Sequence, residues 1–144
     1  PAPSSRMRQS GLHYTLNEGL AWKRAAAAGL DGEPRALAVH PDDGATIAVA
    51  TSKGVYLSRD SGQRFATVAT GFEGLAVYFD LDGKDLWYSA FNGRARLARL
   101  PVAGGLPAQV KLPPLVRDAV AYLAQNPRAL SEYAIATFNR DVYL

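Results

Sequence analysis

Short apolar segments alternate with clusters of turn-forming residues along most of this chain. Where the pattern is clearest it predicts four successive strands separated by turns such as "HPDDG" and "SKG", at 35–40, 46–51, 55–59 and 65–70. The second of these strands contains "IAVA", and a run of apolar residues without alternation indicates a strand that is buried on both faces. We interpret the pattern as all-β. The local sequence would permit a helix in two places, 25–28 and 117–124.

The same plan recurs along the chain. The segment "HYTLNEGLAW" (13–22) aligns with "YLSRDSGQRF" (56–65), and each aligned pair lies 43 positions apart. The segment "TIAVATSKGVYL" (46–57) aligns with "YAIATFNRDVYL" (133–144), 87 positions further on, and a more divergent copy occupies 75–97. A period of about 40 to 50 residues is typical of propellers and solenoids. Equivalent strand ends are predicted at Tyr14, Leu57, Leu97 and Leu144.

We therefore predict a β-propeller built from four-stranded antiparallel blades, with about three blades in this chain. Residues 1–11 are expected to form a disordered leader, and 12–144 the blades, with repeats at approximately 15–57, 58–97 and 98–144. Closed propellers have about four to eight blades. We therefore expect further blades, supplied by the same polypeptide or by a second copy of the chain.

One turn motif occurs twice, each time after the predicted third strand of a blade. The Asn or Asp at its centre and the Ser or Thr before it can hydrogen-bond backbone amides of the same turn. The glycine can adopt a positive φ, and the aromatic residue is expected to be buried beneath the turn. Because every polar group has a local partner, we interpret the motif as structural. Its residues are Thr15, Asn17, Gly19 and Trp22 in the first copy and Ser58, Asp60, Gly62 and Phe65 in the second.

This pattern, Ser/Thr-x-Asp/Asn-x-Gly-x-x-Trp/Phe, resembles the Asp box, or BNR repeat, of sialidases, sortilin-type receptors and photosystem II assembly factors. Propellers of this kind are often labelled glycosyl hydrolases. The resemblance implies that the motifs lie at the periphery, away from the ligand face, and that the protein is extracytoplasmic: periplasmic, secreted or surface-anchored. The third repeat departs from the pattern, because "ARLPVAGG" follows Leu97 where the motif is expected.

The residues required of a glycosidase are not arranged as the resemblance would demand. A sialidase-like site would need an Arg-Ile/Leu-Pro motif, but the nearest string, "EPRAL", has its elements in another order. The aspartates of the first turn (Asp42, Asp43) and of its equivalent (Asp80, Asp82, Asp85) are expected to be solvated. His13 and His40 lack a second ligand at metal spacing. We therefore predict no catalytic residue, no metal site and no cofactor.

A ligand site, if present, is expected at the opposite end, on the loops between second and third strands and on the links between blades. These loops carry several cations and one aromatic residue, which could receive an anionic glycan or an acidic protein segment. The alternative is that the loop cations only keep the surface soluble. The candidate residues are Arg35, Lys53, Phe91, Asn92, Arg94, Arg117, Asp118, Asn139 and Arg140.

Composition narrows the remaining choices. The chain contains 16 Lys and Arg against 13 Asp and Glu, and these cations are scattered, so nucleic acid is not expected as a partner. No apolar run approaches the roughly 20 residues of a transmembrane helix, and cysteine is absent, which excludes disulfides. Our main hypothesis is a non-catalytic binding or assembly module with a protein or glycan partner. The alternative is a sialidase-like glycoside hydrolase that acts on an anionic glycan.

Overall fold

The computed structural model describes residues 11–115 and 117–138, together with the backbone of 142–143. The predicted leader, the candidate residues Asn139 and Arg140, and the predicted strand end at Leu144 fall outside these residues. The described part of the chain is all-β and contains no helix that could cross a membrane. Both segments in which a helix was considered are non-helical, and most of the second forms a strand.

Thirteen strands are present in the described residues. They are β1 (His13–Tyr14), β2 (Lys23–Arg24), β3 (Pro34–Val39), β4 (Ile47–Thr51), β5 (Gly54–Ser58), β6 (Ala66–Thr70), β7 (Glu73–Phe79), β8 (Asp85–Phe91), β9 (Ala95–Pro101), β10 (Ala108–Gln109), β11 (Val120–Gln125), β12 (Tyr133–Thr137) and β13 (Val142–Tyr143).

The strands form four antiparallel sheets, which we number as blades 1 to 4 in chain order. Blade 1 consists of β1 and β2, blade 2 of β3 to β6, blade 3 of β7 to β10, and blade 4 of β11 to β13. Strands that are neighbours in sequence pair with each other throughout each sheet. The prediction of four-stranded antiparallel blades is confirmed by the two complete sheets.

The blades stack face to face, and the second strand of each blade shows how. Val49 of β4 shares an apolar cluster with Leu12 and Ala25 of blade 1. Its neighbour Ala48 faces the other way, into a cluster with Phe79 and Leu86 of blade 3. Successive side chains of a strand point to opposite faces, so a blade that is covered on both sides needs apolar residues at consecutive positions. This requirement explains the unbroken apolar run in β4.

The same alternation continues into blade 4. Trp87 of β8 faces forward and shares a cluster with Val120 and Ile135 of blade 4, whereas Tyr88 faces back towards blade 2. Val49, Tyr88 and Ile135 thus each face the preceding blade from the second strand of their own blade.

The observed register corrects two details of the predicted repeat. Ala124 pairs with Ala134 as Ala38 pairs with Ala48, so "YAIAT" superposes on "IAVAT" one position away from the predicted alignment. The turn that follows β12 is accordingly one residue longer than its counterpart in blade 2. Because a slip of one residue exchanges the two faces of a strand, only the corrected alignment places Ile135 in the core between blades 3 and 4.

The third repeat shows the second correction. Strand β9 continues to Pro101, past the predicted strand end at Leu97. The turn motif was expected directly after Leu97. Residues 98–101 belong instead to the strand and pair with β8.

Candidate functional site

A groove of about 720 Å³ lies on the predicted ligand face, where blade 2 meets blade 3. Four segments of backbone contribute to it: the link before β3, the β4–β5 turn, the link between β6 and β7, and the β8–β9 turn. We call it the loop-face groove. The side chains that carry its chemistry are Asp31, Lys53, Phe72, Glu73, Phe91 and Asn92.

Two hydroxyls, one of them on the buried Thr51, fix the wall of the loop-face groove that lies nearest blade 1. The Thr51 hydroxyl donates to the carbonyl of Asp31 at 2.6 Å and accepts from the amide of Lys53 at 3.0 Å. The Ser52 hydroxyl accepts from the amide of Glu33 at 2.9 Å. Gly32, with φ +87°, lies so close that a Cβ there would approach Thr51 Oγ1 to 2.8 Å. The link that carries Asp31 is therefore held firmly against the β4–β5 turn.

Aromatic rings form the apolar part of the groove. Phe72 stacks in parallel on Tyr88, with ring centroids 5.8 Å apart and an interplanar angle of 5°. Phe91 is half-buried on the neighbouring turn, and Tyr56 is almost fully buried behind it. Burial raises the pKa of the Tyr56 hydroxyl, and the nearby Asp31 adds to the effect. Tyr56 is therefore a neutral hydroxyl throughout the physiological pH range.

The charged side chains of the groove occur in pairs. Lys53 Nζ lies 3.6 Å from Asp31 Oδ1, and Arg35 Nη1 lies 3.4 Å from Glu73 Oε2. Both pairs are largely exposed, so each contributes no more than about 1 kcal/mol to stability. Each pair nevertheless affects the local charge, because the carboxylate offsets the positive charge of its cation.

The structure brings together part of the predicted ligand face. Lys53, Phe91 and Asn92 line the loop-face groove, and Arg35 adjoins it through Glu73. Arg94 instead lines a separate pocket of about 340 Å³ beside Arg96. The remaining described candidates, Arg117 and Asp118, precede β11 away from the groove; Asp118 is buried and accepts from the amide of Ala119 at 2.8 Å.

The sequence analysis missed Phe72 and Glu73, which also line the groove. They stand in "GFEG", where the link between blades 2 and 3 enters β7, and Gly74 must stay small because its Cβ would lie 2.5 Å from the carbonyl oxygen of Gly54. An aromatic and an acidic residue between two glycines, at the start of a strand, is the signal that could have identified them.

At the other end of the blades, the two turn motifs show the same hydrogen bonds. Thr15 Oγ1 accepts from the amide of Gly19, and Ser58 Oγ accepts from that of Gly62, both at 2.9 Å. In each motif the central Asn or Asp accepts, at 2.9 Å, from the amide four residues on. The hydrogen bond from the Arg64 amide, followed by that from Ser58, lowers the pKa of Asp60.

The aromatic residues of the two motifs differ, and one prediction about them is wrong. Phe65 is 8% exposed, as expected of a ring beneath its turn, but Trp22 is 62% exposed. Phe65 packs in the cluster between blades 1 and 2. The equivalent face of blade 1 is not covered by any described residue, so Trp22 lies on the surface.

A buried polar network at the same end corrects the prediction of solvation for Asp80, whereas Asp42, Asp43 and Asp82 are exposed as predicted. Asp80 is 4% exposed. Its Oδ1 accepts from Trp87 Nε1 at 2.7 Å and from the Tyr133 hydroxyl at 2.8 Å, and Arg99 Nη2 lies 4.0 Å from Oδ2. Trp87 and Asp80 belong to blade 3 and Tyr133 to blade 4, so the network joins the two blades.

Further contacts surround this network. Arg99 stacks over the Trp87 ring, 4.6 Å from its centroid, and forms an ion pair with Asp85. Burial, together with the hydrogen bond to Asp80, raises the pKa of Tyr133 to about 12. The hydrogen bond to Asp85 raises the pKa of Arg99. Asp80 thus accepts one hydrogen bond from its own blade and one from the next, and Arg99 lies beside its second oxygen. We interpret it as a structural group, and we call these contacts the Asp80 clamp.

The described residues contain no group of three or more His, Asp or Glu side chains that could hold a metal ion. No family model matches the sequence, and no functionally curated protein matches it. Solved structures do resemble it. The GH74 enzyme of Niastella koreensis superposes with a TM-score of 0.71 at 19% identity, covering 87% of this chain and 21% of that one.

An ancestral GH74 enzyme superposes with a TM-score of 0.65 at 15% identity, covering 92% of this chain and 22% of that one. At these identities the likeness shows a shared propeller-like fold. The chain spans about a fifth of the length of these two enzymes.

Proposed function

We propose that this chain is a section of a larger glycoside-hydrolase-type propeller and that its loop-face groove binds a glycan. The groove carries the argument, because it combines aromatic rings with hydrogen-bonding groups in one open furrow. A sugar ring presents apolar C–H faces and a polar rim of hydroxyls. Phe72 and Phe91 can pack against the faces, and Asp31, Lys53 and Asn92 can bond the hydroxyls.

The fold comparison supports a glycan rather than a protein as the ligand class. The two solved structures named above are GH74 enzymes, that is, glycoside hydrolases. They are about five times longer than the matched section, so we propose that further blades complete the ring. An extracytoplasmic location, where polysaccharides are encountered, belongs to the same proposal.

The two turn motifs fit this proposal as Asp boxes. Their hydrogen bonds coincide atom for atom, and in both copies the residue before the glycine has a positive φ near 60°. We propose that the sequence repeats at 15–57, 58–97 and 98–144 each join the outer strand of one blade to the first three strands of the next.

Charge favours a neutral glycan over an anionic one. Two of the cations near the groove, Lys53 and Arg35, each have a carboxylate within 3.6 Å. An anionic ligand would have to displace Asp31 or Glu73 to reach them, and like charges that approach each other repel. Neutral hydroxyls can bond both members of each pair without displacing either.

Hydrolysis by the complete protein requires two carboxylates that flank the scissile bond. Asp31 and Glu73 are the acidic side chains of the groove, and they come from different inter-blade links. A second candidate function is binding without catalysis. It is favoured by the engagement of both carboxylates with cations at 3.4 and 3.6 Å.

The binding proposal is tested by titrating the chain with neutral oligosaccharides, with sialylated or uronic-acid oligosaccharides, and with an acidic peptide, followed by NMR. We expect neutral glycans to shift the amides of 70–73 and 91–93. Phe91→Ala should weaken binding by about tenfold, a loss of about 1.4 kcal/mol. Phe138→Ala removes an exposed aromatic ring outside the groove and serves as the control for a general effect of losing a surface phenylalanine.

The proposal is wrong if Phe91→Ala and Phe138→Ala bind alike, or if only the acidic peptide binds. Turnover is then measured on the complete protein with Asp31→Asn and Glu73→Gln. Hydrolysis that disappears in these variants while glycan binding persists supports the hydrolase. Glycan binding with no turnover in the wild type supports the second candidate.

A further inference from the structure

The β8–β9 turn contains Asn92 followed by Gly93. In an Asn-Gly sequence the backbone nitrogen of the glycine can attack the side-chain carbonyl carbon of the asparagine. The new C–N bond closes a five-membered succinimide ring, and the side-chain nitrogen leaves as ammonia. Water then opens the ring at either carbonyl, giving aspartate or isoaspartate. Glycine favours the reaction because it has no Cβ to hinder the approach of its nitrogen.

The turn leaves room for this rearrangement. Gly93 has a φ of +98°, and no heavy atom lies within 4 Å of the position that a Cβ would occupy. Asn92 is itself exposed. The backbone at Gly93 can therefore adjust without displacing packed neighbours.

A neighbouring cation is placed to assist. Arg96 Nε donates to Asn92 Oδ1 at 3.1 Å. This oxygen carries the negative charge in the tetrahedral intermediate that precedes the succinimide, and a hydrogen-bond donor aimed at such an oxygen stabilises it. We infer that Asn92 is a site of spontaneous deamidation, promoted by Arg96, and that its conversion introduces a negative charge into the loop-face groove.

Two other asparagines of the chain are internal controls. Asn17 is followed by Glu18, whose side chain hinders the approach of its backbone nitrogen to the asparagine carbonyl carbon, as the missing Cβ of Gly93 does not. Asn126 is followed by Pro127, whose nitrogen has no hydrogen to lose. The first should react slowly and the second should not form a succinimide.

Conversion would alter the groove in a defined way. The asparagine amide both donates and accepts hydrogen bonds, whereas a carboxylate only accepts. The new carboxylate would also attract Arg96. If the proposed function is correct, glycan binding should weaken as the chain ages, and Asn92→Asp should reproduce that loss at once.

The test is peptide mapping by mass spectrometry during incubation of the folded chain in mildly alkaline buffer. We expect Asn92 to convert at least about tenfold faster than Asn17, with isoaspartate as a product. Arg96→Gln, with folding checked by circular dichroism, should slow the reaction several-fold. In the urea-unfolded wild type the rate at Asn92 should be no higher than in the folded chain.

Equal rates at Asn92 and Asn17, or a faster rate after unfolding, would overturn the inference. An unchanged or increased rate in Arg96→Gln would remove the role of Arg96. Because the chemical conversion is read by mass, it can succeed even if no glycan binds. A failure of the proposed glycan binding is thereby distinguished from a failure of the deamidation inference.

Discussion

The two turn motifs, at 15–22 and 58–65, have the same internal hydrogen bonds but different surroundings. The second is docked onto blade 1: the amides of Ala27 and Ala28 donate to the carbonyls of Gly62 and Gln63, and the amide of Phe65 donates to Ala28, at 2.7 to 2.9 Å. The first makes no such contact with another blade in the described residues. Trp22 is consequently exposed and Phe65 is buried.

This difference separates what a turn determines locally from what its neighbours supply. The hydrogen bonds form in both copies because donor and acceptor are at most four residues apart. Burial of the aromatic ring requires a second blade. We infer that the stability of a blade depends mainly on apolar packing between blades, since burying a large side chain contributes more than one hydrogen bond.

The largest expected effect comes from the aromatic residues. Phe65→Ala removes a ring from the cluster between blades 1 and 2 and should lower the free energy of unfolding by about 3 to 5 kcal/mol. Trp22→Ala should change it by no more than about 0.5 kcal/mol, because the ring is already in contact with solvent. Urea titrations of both variants measure the difference. Similar losses in both would mean that the ring acts within its own turn.

A smaller effect is expected from the hydroxyls. Ser58 is buried, and Ser58→Ala leaves the buried amide of Gly62 without its acceptor, which should cost about 1 to 3 kcal/mol. The equivalent change, Thr15→Ala, removes the acceptor of the Asn17 and Gly19 amides. Both amides are exposed and can bond water instead, so the change should cost about 0.5 kcal/mol or less. The comparison fails if Thr15→Ala is the more damaging of the two.

The central residues of the motifs differ in their response to acid. Hydrogen bonding holds the pKa of Asp60 below its ordinary value of 3.8, so its contribution to stability is present above that pH and is lost as the pH falls through the lowered value. Asn17 does not titrate. Asp60→Asn should therefore reduce the acid dependence of the unfolding free energy below about pH 4.

Asp43 provides the reference for this experiment, because a hydrogen bond from Thr46 lowers its pKa as well. Its contribution remains in Asp60→Asn, so the difference between the two pH profiles isolates Asp60. Identical profiles for the variant and the wild type would show that the second turn does not respond to protonation.

Tryptophan fluorescence gives the last comparison, which measures exposure rather than stability. Trp22 is 62% exposed and Trp87 only 5%. Acrylamide should strongly quench the fluorescence of Trp87→Phe, which retains only Trp22. It should weakly quench that of Trp22→Phe, which retains only Trp87. If a further blade covers the first motif in the complete protein, the same Trp22 signal should there resist quenching.

The fold was predictable because its determinants are local or repeated. Apolar runs such as "IAVA" and turns such as "HPDDG" identify strands, and their recurrence identifies blades. The exposure of Trp22 could not be predicted from its motif, because burial of that ring would require a neighbouring blade to cover it. The register of β12 was also missed, since the extra residue of the following turn shifted the alignment of "YAIAT".

The candidate site was predicted only in part for a similar reason. Repeat positions predicted Lys53 and Phe91 at the same end of the blades, and in the structure both line the loop-face groove. Phe72 and Glu73 have no counterpart in the predicted repeat. The Asp80 clamp depends on Tyr133, a residue 53 positions away on another blade, and no local pattern indicates that pairing.

Residue-resolved amide hydrogen exchange tests most directly whether packing between blades, rather than the turn itself, provides the stability. Gly62 and Arg64 in the second motif make the same hydrogen bonds as Gly19 and Ala21 in the first. We predict that Gly19 and Ala21 exchange at least about a hundredfold faster, because they open without disturbing a packed interface. Equal protection in the two motifs would contradict the account.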